Sequence, residues 1–459
     1  MKRDALILLT TSLAAFLTPF VSSAVSFAVP VIGKELHLSF YQAALLPLVI
    51  LIPLASFMLL FGRLSDQAGR VLMFRLGLLI FSIGALLSII SKTFGILVAS
   101  LFILGTGSSM MSANATAIVS VLFNRRRGFA LGINAMSVYL GLTTAPFVSG
   151  LVTEYFAWRY LFVLVIPIAL VSFFLSLSTL HEIRGAGGMG VSGSLLLALL
   201  LATISLYLSL GYVFSFLKLL PLLFLFLVAM LLFLLHERRS ENPLISLGMM
   251  KMRRTFIASN TAALLNYLGT FSVVFVFSIY LQVTLHIPPF LSGLYILPEP
   301  VLMVLVSPLA GRLSDDLGSR EIASIGMVMI GLAFISFFIL RQPSVDQILL
   351  ILAFLGVGFG LFSAPNTNSV MASIRIEFSG FASGFLGTMR FLGQLFSIIA
   401  ATSLFSLAIP RNIMIGVFSG VYISIGQSYF SDFIAGFREI MLFSAVISFA
   451  GALASIMRG

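Results

Sequence analysis

Two ionisable residues lie deep within apolar stretches of this chain. Glu299 occurs in Leu297-Pro298-Glu299-Pro300, and Arg390 occurs in a second apolar stretch. A charge near the centre of a bilayer costs at least ~2.5–3.5 kcal/mol, so such residues usually mark a proton, ion or substrate site. The two prolines lack backbone donors and loosen a helix, which opens carbonyl groups beside the acid.

These two residues could form a proton switch. Burial favours the neutral form of Glu299, whereas a nearby Arg390 favours its carboxylate. At ~1.5 Å per residue, both lie at a similar depth in their stretches. We therefore predict that they pair or face one cavity, and that Glu299 carries a proton. Two alternatives stay open: a static ion pair that only holds helices together, and direct binding of a substrate, where Arg390 would favour an anion.

Other polar residues within apolar stretches are candidates for the lining of a cavity. They are Asn114, Asn134, Asn266, Tyr280, Gln282, Asn366, Asn368 and Gln394. Hydrogen bonding between helices explains each of them equally well.

A five-residue loop occurs twice. Gly62-Arg63-Leu64-Ser65-Asp66 returns as Gly311-Arg312-Leu313-Ser314-Asp315, and each copy is followed by a glycine and an arginine. These following residues are Gly69 and Arg70 in the first copy, and Gly318 and Arg320 in the second. The repeat predicts duplicated halves with Asp66, Arg70, Asp315 and Arg320 as a conformational latch, and the first copy as its principal part.

Within the first copy, glycine permits a tight turn. Asp66 is expected near the N-terminal end of the next helix, where free N–H groups favour a carboxylate. A solvated turn with ordinary charges is the alternative.

The elements that must position these residues are membrane-spanning helices. Hydrophobic residues make up 60% of the chain and charged residues 9%, whereas soluble domains contain about 25% charged residues. Apolar stretches of about 18 or more residues recur, and each can cross the hydrocarbon core as a helix. We predict an all-α polytopic membrane protein with fourteen spans, at 6–31, 41–61, 72–91, 95–122, 129–152, 160–180, 191–213, 217–236, 256–283, 290–311, 322–340, 347–373, 380–408 and 435–457.

Basic residues set the orientation. With the N-terminus in the cytosol, eighteen Lys and Arg residues fall on the inner side and six on the outer side, as the positive-inside rule requires. Both termini are then cytoplasmic. Anionic lipid headgroups account for the net charge of +11, so nucleic acid is not needed as a partner.

The two loop copies lie eight spans apart, which indicates two extra spans between six-helix halves. We predict an N-terminal six-helix bundle (1–182), an inserted transmembrane hairpin with a cytoplasmic linker (183–254) and a C-terminal six-helix bundle (255–459). Parallel repeats are typical of transporters whose halves rock about a central site.

The chain resembles the major facilitator superfamily and, within it, the fourteen-helix drug:proton antiporter family, over essentially its whole length. The loop from Gly62 to Arg70 is similar to the superfamily motif between helices two and three, whose Asp and Arg latch the halves together. The antiporter motif of helix five is similar to Gly141, Ala145, Pro146 and Gly150, with Ala145 where the family usually has glycine.

Three positions depart from the family pattern. Val21, Leu101 and Leu104 stand where the family usually has Asp, Arg and Gln. These departures speak against the family's usual route for proton coupling.

The resemblance implies a monomeric secondary transporter in a prokaryotic plasma membrane that exports lipophilic or cationic small molecules by proton antiport. Its partners would be the substrate, protons and the lipid bilayer. One alternative is an exporter or facilitator of a specific metabolite or anion, and another is a non-transporting receptor or scaffold. We expect no enzyme activity, metal or other cofactor, and the absence of cysteine excludes disulfides and thiolate ligands.

Overall fold

The computed structural model describes residues 2–38, 40–185, 191–211, 216–240, 252–285, 287–340, 343–408 and 430–458. Within these residues the chain forms fifteen α-helices, which we number in chain order. They are α1 (Lys2–Glu35), α2 (Phe40–Ala68), α3 (Arg70–Ile89), α4 (Phe94–Leu122), α5 (Arg127–Tyr155), α6 (Tyr160–Thr179), α7 (Val191–Gly211), α8 (Phe216–Arg239), α9 (Arg253–Thr284), α10 (Pro289–Ile296), α11 (Pro298–Leu317), α12 (Ser319–Ile339), α13 (Val345–Ala372), α14 (Ser379–Ala408) and α15 (Phe430–Ile456).

Each of the fourteen predicted spans coincides with helical residues, which confirms the all-α polytopic fold. Twelve helical stretches of the described chain are long and apolar enough to cross a membrane. α7 and α9 occupy the other two predicted positions. The tenth predicted span is divided into α10 and α11 at Leu297, because Pro298 and Pro300 cannot donate the hydrogen bonds that would continue the helix.

Two large apolar cores organise the helices. One contains buried residues of α1 to α6, such as Phe74, Phe81 and Phe162. The other contains residues of α9 to α15, such as Phe277 and Phe334, and it also receives Tyr139 from α5. Helices of the first set and helices of the second set therefore each pack mainly among themselves.

Two helix pairs make the most extensive contacts between these sets. α2 packs against α14, and α5 packs against α11. The inserted helices form a hairpin in which α7 packs against α8 and also against α2 and α14. We call the end of the bundle that carries both Gly-Arg-Leu-Ser-Asp copies the repeat end.

Candidate functional site

At the repeat end, the first loop copy contacts the start of α14. A Cβ atom added to Gly62 would lie 2.3 Å from the Gly380 carbonyl oxygen, so glycine permits this close crossing of two backbones. The Asp66 carboxylate accepts hydrogen bonds from the Gly380 N–H (2.9 Å) and the Phe381 N–H (2.8 Å). We call this contact between 62–66 and 379–381 the first gate.

The partner of Asp66 differs from the sequence-based expectation. Asp66 lies in the last turn of α2 and caps α14, in the other half of the chain, and not α3, which follows it. The first N–H groups of α14 have no partner within their own helix, so a carboxylate placed there satisfies them. The loop therefore joins two halves of the chain.

Arg70 extends the first gate. Its Nε and Nη2 atoms donate to Asp66 Oδ1 at 3.1 and 2.9 Å, and Nη2 also donates to the carbonyl oxygens of Ile376 (3.0 Å) and Glu377 (2.9 Å). The Asp66 and Arg70 side chains are each only 1% exposed. The pair is thus buried and bound to both halves. Gly69, with a φ of 120°, supplies the turn between them.

The second loop copy contacts the start of α5 in the same way. The Asp315 carboxylate accepts hydrogen bonds from the Gly128 N–H (2.9 Å) and the Phe129 N–H (3.1 Å). A Cβ atom added to Gly128 would lie 2.3 Å from the Gly311 carbonyl oxygen. We call this contact between 311–315 and 127–129 the second gate.

The two segments that receive the loops are themselves a repeat. Both have the sequence Gly-Phe-Ala-x-Gly, at 128–132 and at 380–384. Sequence reasoning missed this second repeat because it carries no charge and begins a predicted span. Its signal was the recurrence of two glycines four residues apart after a polar loop.

The second gate lacks the basic partner that the sequence predicted. Arg320 is exposed and forms no ion pair among the described residues. Instead, Asn368 Nδ2 donates to Asp315 Oδ1 (3.2 Å), and Arg127 Nε donates to Asn368 Oδ1 (2.7 Å). Arg320 follows Gly318 one position later than Arg70 follows Gly69, and this shift turns it away. Asn368, expected in a cavity, belongs to this gate.

The predicted proton site lies within the second set of helices, where α11 packs against α13. Glu299 is in the first turn of α11, only 3% exposed. Its backbone lies against α13, where a Cβ atom on Gly356 would be 2.3 Å from the Glu299 carbonyl oxygen. Its carboxyl group forms no hydrogen bond or ion pair with the residues that the structure describes, and Oε2 is buried. Such a site favours the protonated carboxyl, since a buried unpaired charge is costly.

Arg390 does not pair with Glu299 in this structure. Its Nη2 atom donates to Thr367 Oγ1 (2.5 Å), and its guanidinium lies 5.9 Å from the centre of the Tyr267 ring. The direct pair that equal depth suggested is absent because these contacts hold Arg390 on α13 and α9. Tyr139 lies within electrostatic range of both Glu299 and Arg390.

Three aromatic rings form a cluster that includes the Tyr267 ring beside Arg390. Tyr139 and Tyr267 each meet Phe359 edge-to-face, with ring centres 6.0 and 5.6 Å apart. They come from α5, α9 and α13, so both sets of helices contribute residues to the cluster. Tyr139 is buried, with Ser363 beside its hydroxyl. Sequence reasoning missed this aromatic cluster because the chain contains 45 Phe and 11 Tyr residues. Nothing in the sequence distinguishes these three rings from the others.

The remaining predicted cavity residues are scattered. Asn114 donates to its own helix at Met110 O, and Asn366 binds Arg458 at the repeat end. Asn266 donates to the Met327 sulfur (3.2 Å), and the Tyr280 ring packs on Phe437 with centres 4.5 Å apart. The Asn114 hydrogen bond lies within α4, and the other three contacts hold neighbouring segments of the chain together.

Two further candidates, Asn134 and Gln394, do not enter the aromatic cluster's contacts. Asn134 is buried with an unpartnered Nδ2 atom, and Gln394 is half-buried. The side chain of Gln282 lies outside the described residues.

The antiporter-motif residues pack α5 on α1. A Cβ atom on Gly141 would lie 2.5 Å from the Phe16 carbonyl oxygen, and Ala145 is fully buried. Pro146 lies within the helix. No atom would lie within 4 Å of a Cβ atom on Gly150, so that glycine is not required for packing.

A bundle of membrane-spanning helices in two sets, joined at one end by two matching gates around buried ionisable groups, defines a multi-pass membrane transporter. The family model described as Major Facilitator Superfamily matches residues 11–398. The chain therefore belongs to the Major Facilitator Superfamily, and it is a transporter, not an enzyme.

Curated relatives carry different substrates in their names. The chain is 27% identical over 436 residues to the riboflavin transporter RibZ of Clostridioides difficile, covering 94% of each chain. It is 25% identical over 385 residues to the quinolone resistance protein NorB of Staphylococcus aureus, covering 81% of this chain and 82% of that protein. A drug-resistance protein is thus among the relatives.

A solved structure supports the fold. The proton:xylose symporter XylE superposes with a TM-score of 0.67 at 16% identity, covering 96% of this chain and 94% of that chain. At this identity the likeness concerns the architecture alone.

Proposed function

We propose that this protein is a proton-coupled exporter of lipophilic small molecules, including cations, that works by alternating access in the bacterial plasma membrane. The observation that carries this proposal is the buried, unpartnered carboxyl of Glu299 near an aromatic cluster formed by both sets of helices. A carboxyl group that is neutral when water is excluded and charged when it is hydrated can couple proton transfer to a conformational change.

The charge distribution supports a cytosolic position for the repeat end. Both gates are closed in the structure, and in our proposal this conformation shuts the cytoplasmic side. In our proposal, Glu299 receives a proton from the outside in this conformation, and substrate leaves. When the gates open, Glu299 releases its proton to the cytosol, and substrate binds beside the rings of Tyr139, Tyr267 and Phe359. The chain works as a monomer, with anionic lipid at its basic cytoplasmic face.

Tyr139 supports the coupling step. It is an α5 residue within electrostatic range of Glu299 and Arg390, which belong to the other set of helices. Its hydroxyl can donate a hydrogen bond to an ionised Glu299 when the two sets move. Rocking of one set against the other would therefore change the stability of the Glu299 charge.

Flux in liposomes tests the proposed function. Purified protein is reconstituted, a pH gradient is imposed, and uptake of ethidium, as a lipophilic cation, is followed. We expect E299Q to abolish gradient-driven uptake while ethidium binding persists, because glutamine mimics the neutral acid. The matched control is E154Q, which changes an exposed glutamate at the end of α5. Gradient-driven uptake by E299Q equal to that of E154Q would refute the proton role.

A second candidate function is transport of one aromatic metabolite. The likeness to the riboflavin transporter extends over 94% of both chains, and edge-to-face rings beside an arginine suit a planar ring system with polar substituents. Riboflavin serves as the probe in the same liposomes. Saturable exchange of riboflavin with no ethidium transport would favour this candidate, and the reverse pattern would exclude it.

A further inference from the structure

The chain segment that leaves α6 runs through the first gate. We call residues 182–185 the linker. The Gly185 N–H donates to the Asp66 carbonyl oxygen (2.8 Å), and the Arg70 N–H donates to the Ile183 carbonyl oxygen (3.0 Å). Two backbone hydrogen bonds therefore bind the linker to the same two residues whose side chains close the gate.

Glu182 fixes the helix that carries Arg70. Its two carboxylate oxygens accept hydrogen bonds from the Val71 N–H and the Leu72 N–H, both at 3.0 Å. Gly69, the residue before α3, provides no side-chain cap, and a Cβ atom there would lie 2.4 Å from the Glu182 carboxylate. Glu182 thus replaces the missing cap and holds the start of α3 in place.

Gly185 lies between the two halves. A Cβ atom on Gly185 would be 2.0 Å from the Glu377 carbonyl oxygen and 2.9 Å from Arg70 Nη2. The Glu377 carbonyl oxygen is itself an acceptor for Arg70. The linker backbone therefore fits in the closed gate only without a side chain at this position.

The inserted hairpin contacts the same gate. α7 packs against α2 and α14, the two helices that form the first gate. Glu237, near the end of α8, lies within electrostatic range of Arg63, and the Arg63 guanidinium lies 5.1 and 5.7 Å from the ring centres of Phe381 and Phe378. The second gate is built from α5 and α11, away from the main packing partners of α7 and α8.

We propose that the linker and the inserted hairpin act together as a brace that holds the first gate closed, with Glu182 and Gly185 as its positioning residues. The second gate opens without this restraint. The brace rests on the proposed alternating access, because it assigns the two extra spans a role in the opening of one gate. Loosening the linker should raise the exposure of the first gate to the cytosol and leave the second gate unchanged.

The absence of native cysteine allows a direct test. One reporter cysteine is placed in either gate, as S65C in the first or S314C in the second, at serines that are both buried. The rate of labelling by a membrane-impermeant maleimide is measured from the cytoplasmic side, in inverted vesicles without substrate. Each reporter is compared with itself in three backgrounds: E182A, G185A and the control G95A, whose added Cβ atom meets nothing within 4 Å.

We expect E182A to accelerate labelling of the S65C reporter by roughly five-fold, the factor for loss of a helix cap. G185A should accelerate it by roughly ten-fold or more, because the added methyl group is forced against backbone. The S314C reporter and the G95A background should not change. Glu182 is exposed, so E182A tests the proposal even if G185A misfolds.

Equal acceleration of both reporters, or none at S65C in E182A, would overturn the brace. Flux is measured separately. If the labelling pattern holds but no proton-driven ethidium flux exists, the proposed function fails and the brace stands.

Discussion

The first and second gates share one design but differ in their surroundings. In both, an aspartate four residues after a glycine caps a helix that begins with Gly-Phe-Ala. In the first gate, the aspartate is buried, paired with Arg70 and contacted by the linker. In the second, Asp315 is exposed, and Asn368 joins it to Arg127 by hydrogen bonds. Duplication kept the helix cap and the glycine crossing, whereas the basic partner diverged.

This difference has an energetic consequence. Removing one partner of a buried ion pair leaves the other charged and desolvated, at a cost of about 3–5 kcal/mol. An exposed carboxylate is already hydrated, so its loss removes mainly a helix cap worth about 1 kcal/mol. The first gate should therefore contribute most to the stability of the conformation in which both gates are closed.

The largest expected effect separates the two aspartates. D66N should destabilise the closed state by about 3–5 kcal/mol, because Arg70 stays buried without its charge partner. D315N should cost less than about 1 kcal/mol, because asparagine caps a helix about as well as aspartate. Thermal unfolding in detergent and maleimide labelling of a cysteine in each gate measure the difference. Equal losses of stability in D66N and D315N would show that burial of the Asp66–Arg70 pair does not cause the difference between the two gates.

The glycine crossings should give effects of intermediate size that are equal in the two gates. A Cβ atom on Gly380 would lie 2.3 Å from the Gly62 carbonyl oxygen, and one on Gly128 would lie 2.3 Å from the Gly311 carbonyl oxygen. Overpacking of this kind costs about 1–3 kcal/mol. G380A and G128A should therefore slow closure of their own gates to a similar degree, as cysteine accessibility reports. A marked difference between them would mean that the crossings have also diverged.

The fold was predictable because hydrophobicity alone dictates membrane spans. The gates were predictable in part. The identical Gly-Arg-Leu-Ser-Asp copies revealed the loops, but their partners are Gly380 and Gly128, more than a hundred residues away in sequence and without charge. The way the helices cross brings each loop to its partner glycine. This crossing cannot be read from a single sequence.

The site around Glu299 and Arg390 was also predictable only in part. Glu299 and its prolines could be found because a charge in an apolar stretch is rare. Arg390 was found for the same reason, but its partner Thr367 is a common residue in such a stretch. Tyr139 was missed because nothing in its sequence surroundings distinguishes it from other aromatic residues.

The smallest expected effect concerns Arg320, which analogy with Arg70 assigned to a latch. Because the Arg320 side chain is exposed and makes no ion pair among the described residues, R320A should change stability by less than about 0.5 kcal/mol. N368A should cost about 1–2 kcal/mol, since it removes the hydrogen bonds that join Arg127 to Asp315. Thermal unfolding and labelling of the S314C reporter rank the two variants. If R320A opened the second gate more than N368A, Arg320 would be the basic partner of Asp315 in the working protein, and the two gates would be more alike than this structure indicates.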